Sequence, residues 1–197
     1  MGRPHGGPPD TIDLRRLDVA PGGAARVDVP VPMTGLVLAG QPYEVEPEVA
    51  AARLDVSRSG SGVHMRLRMQ VEVSGPCQRC LAPARVTVRV DAREFQAAGR
   101  ERAAEDGFDD DLDSAYLSGP RREQLDVAAW AHDAVAEGVP MTILCRDDCA
   151  GLCPTCGADL NAGPCGCAAP AGDPRWAGLQ EVARRLRQEG DGGGQAT

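Results

Sequence analysis

Lysine is absent from this chain; all 21 basic residues are arginine. Any phosphate contact therefore depends on guanidinium groups, which can hold a phosphate in bidentate fashion. With Ala, Gly and Pro abundant as well, the missing lysine reads as composition and carries no function by itself. Aromatic residues are scarce, two each of Trp, Tyr and Phe. The core has to be aliphatic, and a broad base-stacking platform is disfavoured. No apolar run reaches the roughly 18 residues that would span a bilayer. The opening stretch MGRPHGGPPD has no apolar segment behind Arg3, so a secretory signal is not expected. Gly6 stands where a myristoylation motif needs Ser or Thr. The expectation is a soluble cytoplasmic protein without membrane contact. Enzyme signatures are lacking too. There is no phosphate-binding glycine loop, no Gly-x-Ser-x-Gly and no His-Glu-x-x-His. The acidic run Asp109–Asp113 has neither the glycine turn nor the terminal Glu of a calcium loop.

What is present is unevenly spread. The formal net charge is −8, but residues 53–93 carry +5 and residues 94–148 carry −9. A basic block beside an acidic one suggests two surfaces with different partners, or a polar loop shielding a basic face. Residues 1–10 are Gly- and Pro-rich and read as disordered. Residues 12–19 and 25–31 read as short strands. Pro30–Pro47 reads as loop, with one short extended piece at Gly35–Ala39. Three stretches then alternate with period two: Pro47–Ser57, Val63–Ser74 and Ala84–Phe95. In the second, Val63, Met65, Leu67, Met69, Val71 and Val73 share one face. His64, Arg66, Arg68, Gln70 and Glu72 share the other. An antiparallel meander with one buried face fits this pattern. The sheet region is expected over 11–96, followed by an acidic linker at 97–124. A helix is predicted over 125–137, with Leu125, Trp130 and Ala134 near helical spacing and Gly138 at its end. A second helix follows Asp173-Pro174, with Leu179, Val182 and Leu186 as its apolar stripe. Residues 189–197 read as a disordered tail.

Eight cysteines dominate the chemistry. Cys77 and Cys80 form a Cys-x2-Cys pair on the turn between two predicted strands. Cys145, Cys149, Cys153, Cys156, Cys165 and Cys167 fall within a short C-terminal segment. In a reducing compartment such clusters serve as metal or redox groups more often than as disulfides. Thiol–disulfide catalysis would place a Cys-x-x-Cys at a helix start beside a βαβ unit, which is not the pattern here. The ferredoxin spacing of an iron–sulfur cluster is also absent. Structural zinc, one or two ions, is the favoured reading. Gly157, just past Cys156, permits the positive φ that a knuckle turn requires. One four-ligand set is Cys153, Cys156, Cys165 and Cys167. A second joins Cys77 and Cys80 to Cys145 and Cys149. The partition stays open, because Cys149 could replace a member of the first set. His5, His64 and His132 are scattered, and ordinary surface or packing roles suit them.

The same alternation sets Arg66, Arg68, Arg85, Arg89 and Arg93 on the face opposite the aliphatic side chains, with Arg79 on the connecting turn. Together they are the candidate RNA-binding residues, since clustered positive charge gains from counterion release at phosphates. An exposed sheet face carrying charge only for solubility is the bland alternative.

Read in order, SGPCQRCL, then VPMTILCRDDCAGLCPTCGADLNAGPCGC, then DPRWAGL, the chain resembles the YceD-like family of bacterial and plastid large ribosomal RNA subunit accumulation proteins. The resemblance covers roughly residues 45–180. Arg79 and Leu81 match the Cys-x-Arg-Cys-Leu turn, and Gly151, Pro154, Gly157, Asp159, Leu160 and Asn161 match the knuckle core. A departure lies before Pro140, where AEGV replaces a more aliphatic segment. The resemblance implies a role in synthesis, processing or stability of 23S ribosomal RNA, and it brings no catalytic residues. The expected protein is α+β: an antiparallel sheet core, a C-terminal zinc-knuckle segment spanning 125–188 with its flanking helices, and no enzymatic activity or small-molecule substrate. Its expected partners are large-subunit ribosomal RNA precursor or ribosomal proteins, and the acidic linker is the candidate contact for a basic ribosomal protein. The alternative is a zinc-ribbon adaptor between proteins that does not touch RNA.

Overall fold

The computed structural model describes residues 10–98, 114–167, 174–176, 178–179 and 182–183. In chain order the elements are β1 (Thr11–Asp13), a 3-10 turn (Leu14–Leu17), β2 (Ala24–Pro32), β3 (Leu36–Leu38), β4 (Gln41–Glu46), β5 (Val49–Ser59), β6 (Gly62–Pro76), β7 (Pro83–Ala97), β8 (Leu117–Ser118), β9 (Gln124–Asp126) and α1 (Val127–Gly138). A further 3-10 turn covers Pro174–Trp176. The described chain is mostly antiparallel sheet with one α-helix. It divides into two compact units, Met1–Leu152 and Cys153–Thr197. No helix among the described residues is long and apolar enough to cross a membrane.

The first unit is organised by β6. Its whole length pairs with β7, from Gly62↔Ala97 to Pro76↔Pro83. Its other edge takes β5 along Gly62–Arg68 and β4 along Glu72–Ser74. Strand β2 then pairs outside β5, and β3 outside β4. Strict alternation explains this arrangement: Met65, Leu67, Met69, Val71 and Val73 are all buried, and so are Leu54, Val56, Val88 and Val90 from the neighbouring strands. A one-residue slip would put that whole set into water, so the register is strongly specified.

Helix α1 and a small sheet in the order β1-β9-β8 complete the core. Asp126 caps α1, its carboxylate accepting from the Ala129 N–H at 2.9 Å. Val127, Trp130, Ala131, Ala134 and Val135 form the buried stripe. Tyr116 stacks near Trp130, with ring centroids 6.2 Å apart, and donates its hydroxyl to Asp133 at 3.0 Å.

Several expectations are corrected. The strand read over 12–19 stops at Asp13, whose carboxylate turns back to accept from the Arg15 N–H, so Leu14–Leu17 coils into a 3-10 turn that buries Leu14. The loop read over Pro30–Pro47 contains a hairpin, β3 to β4. Ala39 and Gly40 both have positive φ at its turn, the geometry of tight hairpins. Residues 114–124, read as the end of an acidic linker, contribute β8 and the first residue of β9, with Ser114 and Leu117 buried. Leu125 belongs to β9 and the helix begins after it. The N-terminal segment 1–9, residues 99–113 of the expected linker and the tail 189–197 lie outside the described residues. So does most of the expected second helix; its described positions include exposed Leu179 and Val182.

Candidate metal centres and candidate nucleic-acid interface

The eight cysteines are all free of disulfides and gather into two groups of four. Cys77, Cys80, Cys145 and Cys149 make one; Cys153, Cys156, Cys165 and Cys167 make the other. Within each group the sulfurs lie within 4.8 Å of one another. The first group belongs to the first unit and the second to the second unit. Four thiolates about 2.3 Å from a tetrahedral ion place neighbouring sulfurs about 3.8 Å apart. The Cys77 and Cys149 sulfurs are 3.8 Å apart, and those of Cys80 and Cys145 are 3.6 Å apart. The donor set and its spacing therefore fit a closed four-sulfur metal site.

The two Cys-x2-Cys turns are built alike. At the tip of the β6–β7 hairpin, the Leu81 N–H donates to the Cys77 carbonyl at 2.9 Å, and the Cys77 N–H donates to the Ala82 carbonyl at 2.7 Å. In the second unit the Gly157 N–H donates to the Cys153 carbonyl at 2.8 Å, and the Cys153 N–H donates to the Ala158 carbonyl at 2.8 Å. The residue after the second cysteine is left-handed in both: Leu81 at φ 63° and Gly157 at φ 74°. The hook leaves backbone N–H groups pointing at the first sulfur, and the Arg79 N–H lies 3.5 Å from the Cys77 sulfur.

Those donors govern the thiols. Burial pushes Cys77 up, but backbone N–H groups of Cys145, Arg79 and Cys80 outweigh it and bring the thiol down to about 6. Cys153 is likewise brought down to about 6, first by the N–H groups of Cys156 and Thr155. Cys145 is pushed up to about 12, first by its hydrogen bond with Cys80, then by burial and by the other thiols. One sulfur per group is thus poised as thiolate, and an incoming cation displaces protons from others.

The first centre also ties distant segments together. The Gln78 N–H donates to the Ile143 carbonyl at 3.0 Å, and the Leu152 N–H to the Arg79 carbonyl at 3.1 Å. The Arg79 guanidinium donates to the Cys149 carbonyl at 2.9 Å. Gly151 has φ 76°, and a Cβ there would stand 3.0 Å from the Arg79 carbonyl oxygen, so this crossing needs glycine. Arg79, a candidate RNA-binding residue on the connecting turn, is engaged here at the cysteine cluster.

The other five arginines do share the outer face of the sheet, but acids from neighbouring strands interleave with them. Arg66 pairs with Asp91, and Arg68 shares Asp55 with Arg26. Arg85 reaches Glu46 and Glu72 at 3.4 and 3.5 Å. Arg89 donates to Gln70 at 3.3 Å. The clustered arginines thus sit in a mixed-charge surface. Sequence reading missed how residues line up across it. Ala24, Ser57, His64 and Phe95 form one cross-strand row, and Arg26, Asp55, Arg66 and Arg93 the next. The His64 and Phe95 rings lie 4.6 Å apart, tilted by 38°. Each residue fits its own strand's alternation; only the four-strand register puts them in rows.

The model of the family described as large ribosomal RNA subunit accumulation protein YceD matches residues 65–183, a span that includes all eight cysteines and all of β7 and α1. Uncharacterized proteins of Mycobacterium tuberculosis and Mycobacterium bovis are 31% identical to the chain over 180 residues, which is 90% of this chain and 83% of theirs. No solved structure matches it.

Proposed function

Since the chain belongs to the YceD family of large ribosomal RNA subunit accumulation proteins, we propose that it supports the synthesis, processing or stability of 23S ribosomal RNA as a non-catalytic factor in ribosome biogenesis. The observation that carries this reading is the family match across both cysteine groups and the long hairpin that bears the first of them. Two zinc ions, one per group, complete the protein. Four thiolates would leave an ion no open position for water or substrate, so its contribution is folding free energy. The zinc-stapled hairpin then holds the sheet's outer face rigid for contact with precursor RNA. The measurement is the ratio of large- to small-subunit ribosomal RNA after depletion of the protein. A fall that wild type restores and Cys77→Ser/Cys80→Ser does not is expected; an unchanged ratio overturns the reading.

A second reading, an adaptor that binds ribosomal proteins without touching RNA, is favoured by the ion pairs Arg66–Asp91 and Arg68–Asp55, which lower the face's appetite for phosphate. Salt separates the two. Phosphate contacts make RNA affinity fall steeply with salt. A purified chain that captures ribosomal protein but binds no precursor RNA at low salt would be the adaptor.

A further inference from the structure

Resting on the RNA-contact reading above, we propose that one end of the outer sheet face is a subsite for a single unpaired RNA nucleotide. The residues are those of the two adjoining cross-strand rows. Ala24 and Ser57 are small and leave an open hollow of about 680 Å³. His64 and Phe95 stand beside them as the one ring pair on the outer sheet face among the described residues. The hollow is lined as well by Arg26, Arg66 and Arg93, with the acids Asp55 and Glu94.

The chemistry selects the ligand. Two rings beside a floor of small side chains offer a π-surface for a flat heterocycle, and unpaired bases use aromatic or guanidinium planes in this way. Arg93 lies two residues before Phe95 on the same strand; its guanidinium makes no ion pair within 4 Å among the described residues and acts on Asp91 only at longer range, so a phosphate can compete for it. Arg26 and Arg66 are already paired with Asp55 and Asp91, which fixes their guanidinium planes beside the hollow. A duplex would not satisfy this site, because paired bases hide their faces in the stack. Scarce aromatics therefore still make one stacking position, through register and not through number.

The test uses the full, metal-loaded chain and a fluorescein-labelled short oligouridylate, with an RNA duplex of the same length as comparator. His64→Ser and Phe95→Leu are each expected to weaken binding of the single strand roughly ten-fold. Arg93→Gln should reduce the slope of log affinity against log salt by about one. Arg121→Gln, the same charge loss outside the hollow, should change the affinity little. His64 and Arg93 are exposed, so their variants keep the test alive if Phe95→Leu fails to fold. Tight wild-type binding that none of the three variants weakens overturns the subsite while leaving RNA contact in place. Equal affinity for duplex and single strand also overturns it. No binding of either RNA by the wild type removes the subsite and the direct RNA contact together, and leaves the adaptor.

Discussion

Two left-handed residues distinguish the otherwise matching cysteine hooks. Gly157 occupies φ 74° without a Cβ, whereas Leu81 occupies φ 63° with a full side chain. A left-handed conformation costs a non-glycine residue about 1–2 kcal/mol. Nothing lies within 4 Å of a Cβ built on Gly157, so Gly157→Ala pays only that backbone cost. Metal affinity at the second group should fall about ten-fold, read by competition with a chromophoric chelator. Leu81→Gly should leave the first group's affinity unchanged or improve it; a large loss there would mean that the exposed leucine side chain supports the hook. The thiols set the pH dependence. Cys77, held at about 6, is thiolate at neutral pH, while Cys145, pushed up to about 12, keeps its proton until a cation displaces it. Binding therefore releases protons, and affinity rises with pH. It should drop by about ten-fold or more per pH unit on acidification, and more steeply below about pH 6 where Cys77 also protonates. Chelator competition at several pH values checks this, and a flat profile contradicts it.

Elements differ in how plainly they were written in the sequence. The β6–β7 hairpin was legible because fifteen-residue strands with one aliphatic face leave a single sensible register. The hairpin β3–β4 was not, because Pro42, Pro47 and the glutamates of β4 argue against a strand while pairing to β6 supplies what local preference lacks. Strands β8 and β9 are two and three residues long, too short for periodicity to register, and exist because β1 pairs with β9 from the far end of the chain. Apolar spacing marks helix α1 but sets its start too early: Leu125 has near-helical spacing to Trp130 and yet pairs with Ile12 in the sheet. What begins the helix is the Asp126 carboxylate on the Ala129 N–H. Asp126→Ala should therefore cost about 1 kcal/mol of stability, seen as a lower urea midpoint with an unchanged slope. No change would mean that the Val127 and Ala128 N–H bonds to the Asp10 carbonyl suffice to start the helix.

At the scale of the whole molecule the two units rest on different forces. The hydrophobic core runs through the first unit, from Leu14 to Cys149. In the second, Cys153 is the one buried side chain among the described residues. The sequence already separated these two economies: aliphatic alternation ends at Phe95, and CPTCGADLNAGPCGC has almost nothing to bury. The local set was legible for the same reason, since closely spaced cysteines can reach one ion; Cys77 and Cys80 with Cys145 and Cys149 follow in the sequence only as the four that remain, and the fold, bringing the hairpin tip to the segment after α1, closes the open partition. If metal coordination is what orders the second unit, removing it should act unequally. Metal analysis of the purified chain should find two zinc ions, and Cys156→Ser should release one; stoichiometric iron with visible absorbance would replace zinc as the ion. After chelation, amides of residues 153–167 should exchange hydrogen at near-coil rates, while those of β5, β6 and β7 stay protected by the aliphatic core. The first group should lose less, because Cys77 and Cys149 sit within that core. Protection of 153–167 that survives complete metal removal would mean that the second unit folds without an ion, and the structural role assigned to its four cysteines would have to be withdrawn.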